Sequence, residues 1–543
     1  MNYLLTTIYF RQRIPFICNT NYEMYDFLNL VNFDWASITG GVLFFFLISL
    51  FLRFRPKKVH IPGPKSYPLV GILPHAILDF ERWPERCSEY SKEFGYKTWG
   101  GGLPNTLSMG GAVYWITDPD NVKHVLSTNF DNYEKGKALR ELYSDLLGTG
   151  IFASDGAIWK THRKAMSHMF SRNLLRATGD LTLTKLKLIE DIFRCKAQKS
   201  HAAPDAIVDL QDIFLRMTFD TTTYVAFGCQ MNSLESEGQH RFAQAFDEIQ
   251  VLITERWFDP IFQLKRSLQI GTREKSIVAL KKILTEESMK IIKERIQNAR
   301  NGDHKLGPDL LSRFLDQQSK SKKGSLDDLE ITDDEFQSLV MNILLAGRDT
   351  TAFTLGWTFY MLSKHPEVVK KIIEEVEQVI GSVGDASDED FSYEKIGELR
   401  YTHAVVMEVL RIHPVVPHEL KFAIKDDTLP DGTFVHAGSQ ISWLPLAMGR
   451  SEKLWGKDAN EFRPERFLNV KEPSLFKYPV FNAGPRTCLG KPLALQTVKM
   501  TLAYMLPRFH FIDSSGHSGE SKWTFTRCLK GGFPVNIAER KTN

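Results

Sequence analysis

One cysteine stands in a segment whose backbone is unusually free to bend. The segment runs from Phe481 to Gly490 and reads F-N-A-G-P-R-T-C-L-G, with Cys488 between Gly484 and Gly490. Because glycine has no Cβ, the backbone at these two positions can come close to a flat group. After the cysteine the apolar residues recur at helical spacing, and Pro492 suits the first turn of a helix. The sequence therefore predicts a thiol held just before a helix N-terminus.

The surroundings of this thiol indicate its chemistry. A helix N-terminus and nearby cations favour a thiolate, and Arg486 and Lys491 flank Cys488 in the sequence. We therefore expect the thiol to lose its proton easily. A thiolate presented in this way can be an axial ligand to haem iron and push electron density toward it. The alternative is a structural cysteine in a glycine-rich turn, since a free cysteine is usually a small buried hydrophobic residue.

Five spaced residues make a family resemblance specific. The segment resembles the F-x-x-G-x-R-x-C-x-G pattern of the cytochrome P450 superfamily, the haem-thiolate monooxygenases. The matching residues are Phe481, Gly484, Arg486, Cys488 and Gly490. The resemblance covers the chain from about Ile61 to the C-terminus. It implies a mainly α-helical fold with small β-sheets, a haem b cofactor bound by these five residues, and Cys488 as the ligand to the iron.

Length and composition are those of a large globular protein. The chain has 543 residues, with 43% hydrophobic residues, 24% charged residues and a net charge of +3. Because no region is strongly basic, we expect no nucleic-acid partner. Six scattered cysteines without a C-x-x-C pair argue against a disulfide scaffold or a zinc module.

An uncharged run near the N-terminus predicts a membrane anchor. Residues 35–52 contain no charged side chain and would span about 27 Å as a helix, close to a hydrocarbon core of about 30 Å. Four basic residues follow the run: Arg53, Arg55, Lys57 and Lys58. By the positive-inside rule the C-terminal part then faces the cytosol. A cleaved signal peptide is the alternative, but its positive charges should precede the apolar core.

These features divide the chain into four parts. Residues 1–34 have no assigned role, residues 35–52 form the transmembrane anchor and residues 53–64 form a basic, proline-rich hinge. Residues 65–543 are expected to form the haem-thiolate catalytic domain. We expect a single-pass protein of the endoplasmic reticulum membrane, with this domain in the cytosol.

Two further motifs place side chains around the expected cofactor. Trp159 and Arg163 are four residues apart, which puts them on one face of a helix. Taken alone, this pair is better explained by a core tryptophan beside a solvated charge. It resembles the W-x-x-x-R motif of the family, which implies that both residues hold a haem propionate.

A long helix carries the second motif. Residues 332–335 form a capping box, and no proline follows until Pro366. The hexapeptide A-G-R-D-T-T interrupts this helix, and the Thr350 hydroxyl can bond back to the Ala346 carbonyl and open a local bend. The hexapeptide resembles the oxygen-binding motif of the family. That resemblance implies that Asp349 and Thr350 deliver protons during oxygen activation.

The region after this helix predicts structural and pocket residues. Glu408 and Arg411 lie three residues apart on one helix face, and Arg466 lies in a later P-E-R-F element. The resemblance implies a buried charge network of these three residues behind the haem. It also implies that the apolar run 415–417 lines the substrate pocket, namely Val415, Val416 and Pro417.

These features favour a membrane-anchored monooxygenase that inserts one atom of dioxygen into a C–H bond of a lipophilic substrate. Because no flavin or nicotinamide domain is recognisable, electrons must come from a separate, NADPH-dependent flavoprotein reductase. A basic docking face for it is expected at Arg163, Lys164, Lys477 and Lys491. The alternatives are a haem-thiolate enzyme that rearranges peroxides, a non-enzymatic haem binder and an integral-membrane scaffold.

Several stretches indicate the substrate class. They resemble the plant and fungal branch of the family that hydroxylates fatty acids at the ω-carbon. The stretches are 132–136, 429–433, 447–450, 455–458 and 481–491. Glu134 departs from the proline common in that branch, which leaves the preferred chain length open. The alternative substrate is a sterol or another lipid.

Overall fold

The computed structural model describes residues 56–104, 110–167, 170–198, 206–236, 238–300, 309, 311–312, 338, 341–382 and 386–541. All of them belong to the larger of the two units of the chain, Arg55–Asn543. The predicted N-terminal segment 1–34, the anchor 35–52 and the first hinge residues lie outside them. Among the described residues, no helix is both long and apolar enough to cross a membrane.

Helices make up most of this unit, as the sequence predicts. The α-helices, in chain order, are α1 (Leu73–Leu78), α2 (Trp83–Glu93), α3 (Pro119–Lys123), α4 (Gly136–Leu147), α5 (Gly156–Ser167), α6 (Arg172–Ala197), α7 (Leu210–Phe227), α8 (Arg241–Glu255), α9 (Phe262–Leu268), α10 (Thr272–Arg300), α11 (Thr350–Lys364), α12 (Pro366–Val379), α13 (Tyr393–Glu398), α14 (Arg400–Ile412), α15 (Pro445–Gly449), α16 (Glu452–Trp455) and α17 (Lys491–Met505).

The strands are short and form small sheets, also as predicted. They are β1 (Trp99–Gly102), β2 (Ala112–Ile116), β3 (Tyr133–Glu134), β4 (Val208–Asp209), β5 (Glu419–Ala423), β6 (Asp427–Thr428), β7 (Phe434–Val435), β8 (Gln440–Trp443), β9 (Phe509–Asp513), β10 (Ser521–Trp523), β11 (Arg527–Leu529) and β12 (Pro534–Glu539). The largest sheet has the order β1-β2-β8-β5-β3, and a three-stranded sheet has the order β4-β12-β9. β6 with β7 and β10 with β11 form two-stranded ribbons.

The largest sheet depends on the glycine run of β1. β1 pairs antiparallel with β2, and β2 pairs parallel with β8 in the register Val113 to Gln440. A Cβ built on Gly100 would lie 2.1 Å from the carbonyl oxygen of Val113. Any other residue at this position would therefore push the two strands apart.

The proline and glycine signals of the sequence define several element ends. Asp118 accepts a hydrogen bond from the Asp120 N–H at 3.0 Å and so caps α3, whose first residue is a proline. Gly432 has φ +86° in the turn between β6 and β7. Both follow from local residue chemistry, since aspartate favours an N-cap and glycine tolerates a positive φ in a turn.

The centre of the unit is helical. The predicted long helix is described from Met341, passes through a π-helical turn at Leu345–Asp349 and continues as α11 to Lys364. The capping box at 332–335 lies outside the described residues. α11 packs against α7, α14 and α17, and its Trp357 is completely buried in the largest hydrophobic core cluster.

Candidate active site

The cysteine segment forms a tight loop before α17. The Cys488 N–H donates to the Phe481 carbonyl at 2.8 Å, which closes the loop. Gly484 has φ +63°, and a Cβ there would lie 2.0 Å from the Leu126 carbonyl oxygen, so only glycine fits. Among the described residues, a Cβ on Gly490 would meet only the Phe170 ring at 3.8 Å and the Cys488 sulfur at 3.9 Å. These residues therefore leave room beside Gly490.

The Cys488 thiol combines an exposed face with a dense protein environment. Its side chain is exposed, yet surrounding protein atoms desolvate the sulfur strongly. Both observations hold when the exposed face opens onto an enclosed space inside the protein. Burial raises the pKa of the Cys488 thiol, while hydrogen bonds from the backbone N–H groups of Gly490 and Lys491 and the charge of Arg163 lower it less.

The prediction of an easily deprotonated thiol is therefore wrong for the protein alone, because desolvation outweighs the helix N-terminus and the cations. A metal ion reverses this balance, since a coordinating thiol is deprotonated outright.

Arg486 is a residue of the cysteine loop whose side chain connects the loop to the residues before α5. Its Nη2 donates to the Ser154 carbonyl and to Asp155 Oδ1, both at 2.8 Å, and its guanidinium lies 4.4 Å from the Trp159 ring centroid. Its Nε is buried and has no hydrogen-bond partner among the described residues.

Lys421 is a second buried basic side chain, and it was not predicted from the sequence. It lies on β5, its side chain is completely buried, and its Nζ has no hydrogen-bond partner in the part of the chain that the structure describes. The Nζ lies 3.8 Å from the Phe130 ring centroid. Burial, and then the charges of Arg486 and Lys135, lower the pKa of Lys421 to about 6. A lysine inside the otherwise apolar run L-K-F-A was the only sequence signal for it.

The predicted pair on α5 separates in the structure. Trp159 is buried against the Arg486 guanidinium, whereas Arg163 Nη2 donates to the Thr487 carbonyl at 2.5 Å. The Arg163 guanidinium lies 6.0 Å from the Trp159 ring centroid. Arg163 thus holds the residue that precedes Cys488.

The π-helical turn leaves a short stretch of its surface accessible at Ala346 and Gly347. Ala346 is exposed, although Leu345 and Arg348 beside it are buried. The Thr350 hydroxyl donates to the Ala346 carbonyl at 2.5 Å, the back-bond that the sequence predicts. A Cβ on Gly347 would lie 2.8 Å from Thr222 Oγ1, so the glycine allows α7 to pack closely. The π-helical turn therefore leaves Ala346 accessible beside Thr350, which is itself partly exposed.

Asp349 points away from Thr350. Its two carboxylate oxygens accept from Arg348 Nη1 at 2.8 Å and from Gln250 Nε2 at 2.9 Å. The side chain is 2% exposed, and this burial is the main reason why the pKa of Asp349 is raised to about 6. Asp349 and Thr350 are thus neighbours in the chain with different hydrogen-bond partners.

The three residues of the predicted charge network lie together. Glu408 receives Arg411 Nε and Nη2 at 2.7 Å each, and both side chains are completely buried. Arg466 Nε reaches Glu408 Oε1 at 3.4 Å. Arg411 also donates to the carbonyls of Gly449, Ala459 and Glu461. The network therefore connects α14 to the chain that leads to the cysteine segment.

The run 415–417 follows α14. Val415 and Pro417 are buried and Val416 is partly exposed. The Val415 carbonyl accepts from the Arg527 N–H at 2.8 Å, which ties β11 to this run. A cavity of about 60 Å³ is lined by the next residues along the chain, His418 and Leu420, together with the indoles of Trp83, Trp115, Trp257 and Trp523.

These residues fit a haem group. The open face of Cys488 supplies a thiolate donor, and Gly490 leaves room for a flat ring. The Arg486 Nε and the Lys421 Nζ have no hydrogen-bond partner among the described residues and suit anionic carboxylates, which would pair with Arg486 and favour the protonated form of Lys421. The described residues contain no group of three or more histidine, cysteine or acidic side chains that could hold a metal ion.

Comparison with known proteins agrees with this geometry. The family model described as Cytochrome P450 matches residues 61–526. Cytochrome P450 94A2 of Vicia sativa is 34% identical over 528 residues, which cover 93% of this chain and 98% of the relative. Cytochrome P450 704B1 of Arabidopsis thaliana is 33% identical, covering 88% and 95%. Cytochrome P450 94B1 of Arabidopsis thaliana is 31% identical, covering 95% and 98%.

This family uses haem iron, dioxygen, a lipophilic substrate and electrons from a redox partner. The chain therefore belongs to the cytochrome P450 family and is a haem-dependent monooxygenase.

Proposed function

We propose that this monooxygenase hydroxylates a long-chain fatty acid at or near its ω-carbon. The observation that carries the proposal is the set of sequence stretches that resemble the fatty-acid ω-hydroxylase branch. The similarity to cytochrome P450 94A2 over almost the full length of both chains supports membership of the same family. A bound haem supplies the oxygen-activating and C–H-cleaving chemistry. The residues of the chain hold that group, shape its surroundings and move protons.

In this proposal Cys488 is the ligand to the iron, and Phe481, Gly484 and Gly490 shape the loop that carries it. Arg486, Lys421 and Trp159 surround the propionate carboxylates, and Arg163 fixes the Thr487 carbonyl next to the ligand. Pairing with carboxylates would remove the cost of leaving the Arg486 and Lys421 nitrogens buried without partners.

Asp349 and Thr350 are proposed to supply protons. Because its pKa is raised to about 6, the Asp349 carboxyl can take up and release a proton near neutral pH. The Thr350 hydroxyl donates its hydrogen bond to the Ala346 carbonyl, so the hydroxyl oxygen can accept a hydrogen bond from a water molecule. Such a water beside Ala346 and Thr350 would carry protons toward the reacting oxygen.

The surroundings of the substrate are proposed to be apolar. Val416 is the partly exposed member of the run 415–417. The cavity lined by His418 and Leu420, which follow this run in the chain, has mainly aromatic and aliphatic walls, and burial lowers the pKa of His418 to about 4, so this side chain is neutral. A long acyl chain suits such a lining better than a charged substrate does.

The protein is also proposed to be anchored in the endoplasmic reticulum membrane by residues 35–52. Exposed apolar side chains on two elements support a position against the bilayer. Leu78 on α1 is 83% exposed, and Leu264 and Leu268 on α9 are each 58% exposed. Phe80, just after α1, packs on Phe258 at 4.9 Å, close to the start of α9, so the two elements are neighbours.

Electrons are proposed to come from an NADPH-dependent flavoprotein reductase. Among the four cations expected to dock it, Lys164 has an exposed side chain. Lys491 instead pairs with Glu472 at 2.8 Å, and the Lys477 Nζ lies 4.5 Å from the Trp455 ring centroid. These contacts leave Lys164 as the residue of this set that is best placed for docking.

The substrate is tested by reconstituting the enzyme with such a reductase and saturated acids of graded length. Mass spectrometry should locate the hydroxyl at or near the ω-carbon. Turnover of a sterol without terminal hydroxylation of any acid would overturn the fatty-acid assignment, and the monooxygenase assignment would remain.

A further inference from the structure

A second helix reaches the π-helical turn through polar side chains. Asp247 and Gln250 lie three residues apart on α8 and therefore on one face of it. Asp247 accepts from Arg348 Nη1 at 2.5 Å and from Arg348 Nη2 at 3.0 Å. Gln250 donates to Asp349 at 2.9 Å. α8 thus holds both residues that precede Thr350.

Exposure changes sharply along this chain of contacts. The side chains of Arg348 and Asp349 are each 2% exposed, whereas that of Asp247 is 38% exposed. The Arg348 guanidinium lies 6.0 Å and 5.8 Å from the ring centroids of Phe219 and Phe246. Asp247 is therefore the member of the set that meets solvent, and the others lie among apolar groups.

One guanidinium serves two carboxylates. The positive charge of Arg348 favours the ionised form of Asp349, whereas the negative charge of Asp247 opposes it. The Cys528 thiol on β11 also interacts with both carboxylates, but its pKa is raised to about 12, mainly by burial, so it stays neutral. Asp247 is thus the charged group that opposes the stabilisation of ionised Asp349 by Arg348.

Resting on the proton-supplying role proposed above for Asp349, we propose that Asp247 is a positioning residue for this reaction. By sharing Arg348 with Asp349, it keeps the Asp349 carboxyl able to hold a proton near neutral pH. Arg348 cannot pass a proton on, because a guanidinium stays protonated. Asp247 therefore acts through its charge, and only Asp349 gains and loses the proton.

The charge can be removed or added without changing side-chain shape. Asp247→Asn removes the opposing charge, so the pKa of Asp349 should fall. Gln250→Glu places a new negative charge next to the Asp349 carboxyl, so the pKa of Asp349 should rise. Each shift should be about one pH unit or more, the low end of what a close charge produces.

The matched control is Glu248→Gln. Glu248 is the next residue on α8 after Asp247, it is exposed, and its substitution removes the same charge. We expect no shift for this variant. The reduced carbon monoxide spectrum of each haem-loaded variant checks that the site is intact.

Two measurements are made on each variant across pH. Infrared difference spectroscopy follows the carboxylic acid band of Asp349, which is identified by its loss in Asp349→Asn. The amount of product formed per NADPH consumed measures coupling, which should be lost at high pH when Asp349 is ionised. The pH at which coupling is lost should fall in Asp247→Asn and rise in Gln250→Glu. A structural role alone would not produce shifts of opposite sign.

Equal infrared midpoints in Asp247→Asn and Glu248→Gln would overturn the proposal, and so would shifts of the same sign in Asp247→Asn and Gln250→Glu. Unchanged coupling in Asp349→Asn would instead overturn the role of Asp349 itself, whatever the infrared midpoints are. The two failures are therefore distinguishable.

Discussion

At the scale of single residues, the site is a set of groups that the protein alone does not satisfy. Desolvation raises the pKa of the Cys488 thiol, and the buried Lys421 Nζ finds no hydrogen-bond partner among the described residues. The Thr350 hydroxyl donates to the Ala346 carbonyl of its own helix, so its oxygen still lacks a donor from elsewhere in the described part of the chain. Each of these states has a consequence that a single substitution can measure.

Replacing Cys488 by alanine should abolish the absorption band that thiolate-ligated haem shows in the reduced carbon monoxide adduct. The reason is that the site offers Cys488 as its thiolate donor. Absorption spectra of the reduced protein before and after addition of carbon monoxide provide the measurement. Cys195→Ala, which changes an exposed cysteine on α6, is the control and should keep the band. A band that survives Cys488→Ala would exclude this cysteine as the ligand.

Replacing Lys421 by methionine should stabilise the haem-free protein and weaken its hold on haem. The pKa of Lys421 is about 6 in the folded protein and near 10.5 when the chain is unfolded. Between these values the unfolded chain binds the extra proton, so the stability of the native protein rises as pH rises. At pH 7 the substitution should add on the order of a few kcal/mol.

Denaturant unfolding at several pH values tests this prediction, and Lys425→Met at an exposed lysine is the matched control. The Lys421→Met protein should lose the rise of stability with pH and release haem faster to an acceptor protein. Unchanged haem release would remove Lys421 from the propionate site.

Replacing Thr350 by alanine should keep haem and substrate binding but lower the product formed per NADPH by roughly tenfold or more, with peroxide released instead. The magnitude is that of a lost proton-transfer group. Thr354→Ala, one turn along α11, removes a hydroxyl that donates to the Thr350 carbonyl at 2.7 Å and serves as the control. Equal coupling in wild type and Thr350→Ala would remove Thr350 from the mechanism.

At the scale of elements, buried charges connect helices that would otherwise only touch. Glu408 and Arg411 are completely buried on α14, and the guanidinium donates to three backbone carbonyls of the chain that leads to the cysteine segment. The network therefore couples the stability of α14 to the position of Cys488.

Replacing Glu408 by glutamine should lower the free energy of unfolding by about 3–5 kcal/mol, because Arg411 is left as an uncompensated buried charge. Chemical denaturation of the haem-loaded protein measures it. Glu394→Gln breaks an exposed pair with Arg176 and should have little effect. Similar stabilities for the two variants would show that the buried network contributes little.

At the scale of the whole molecule, the described unit carries the enzyme site and the apolar run 35–52 lies outside it. Removing residues 1–55 should release at least part of the protein from membranes and leave the haem spectrum unchanged. The reason is that the site lies entirely within the described residues, whereas the longest uncharged run of the N-terminal region is deleted. Sedimentation of membranes with spectroscopy of both fractions gives the result.

The full-length chain is the reference for that experiment. Remaining attachment after truncation is expected to depend on the exposed apolar residues of α1 and α9, so Leu78→Ser together with Leu264→Ser should reduce it further. A full-length protein found only in the soluble fraction would contradict the anchor.

The sequence alone determined the features that depend on local chemistry. Cap and turn residues account for the start of α3 and for the turn between β6 and β7, and the spacing around Cys488 predicted the family. The Thr350 back-bond to Ala346 was predictable because both partners lie within one turn of one helix.

The tertiary structure decided what depends on distant groups. The sequence predicted a thiol that loses its proton easily, but packing around Cys488 reverses the direction of its pKa shift. Lys421 joins the site because β5 brings it next to Arg486, and Asp349 turns toward α8 because Gln250 and Arg348 are there. Burial and pairing depend on which elements meet, and nothing in the local sequence specifies those meetings.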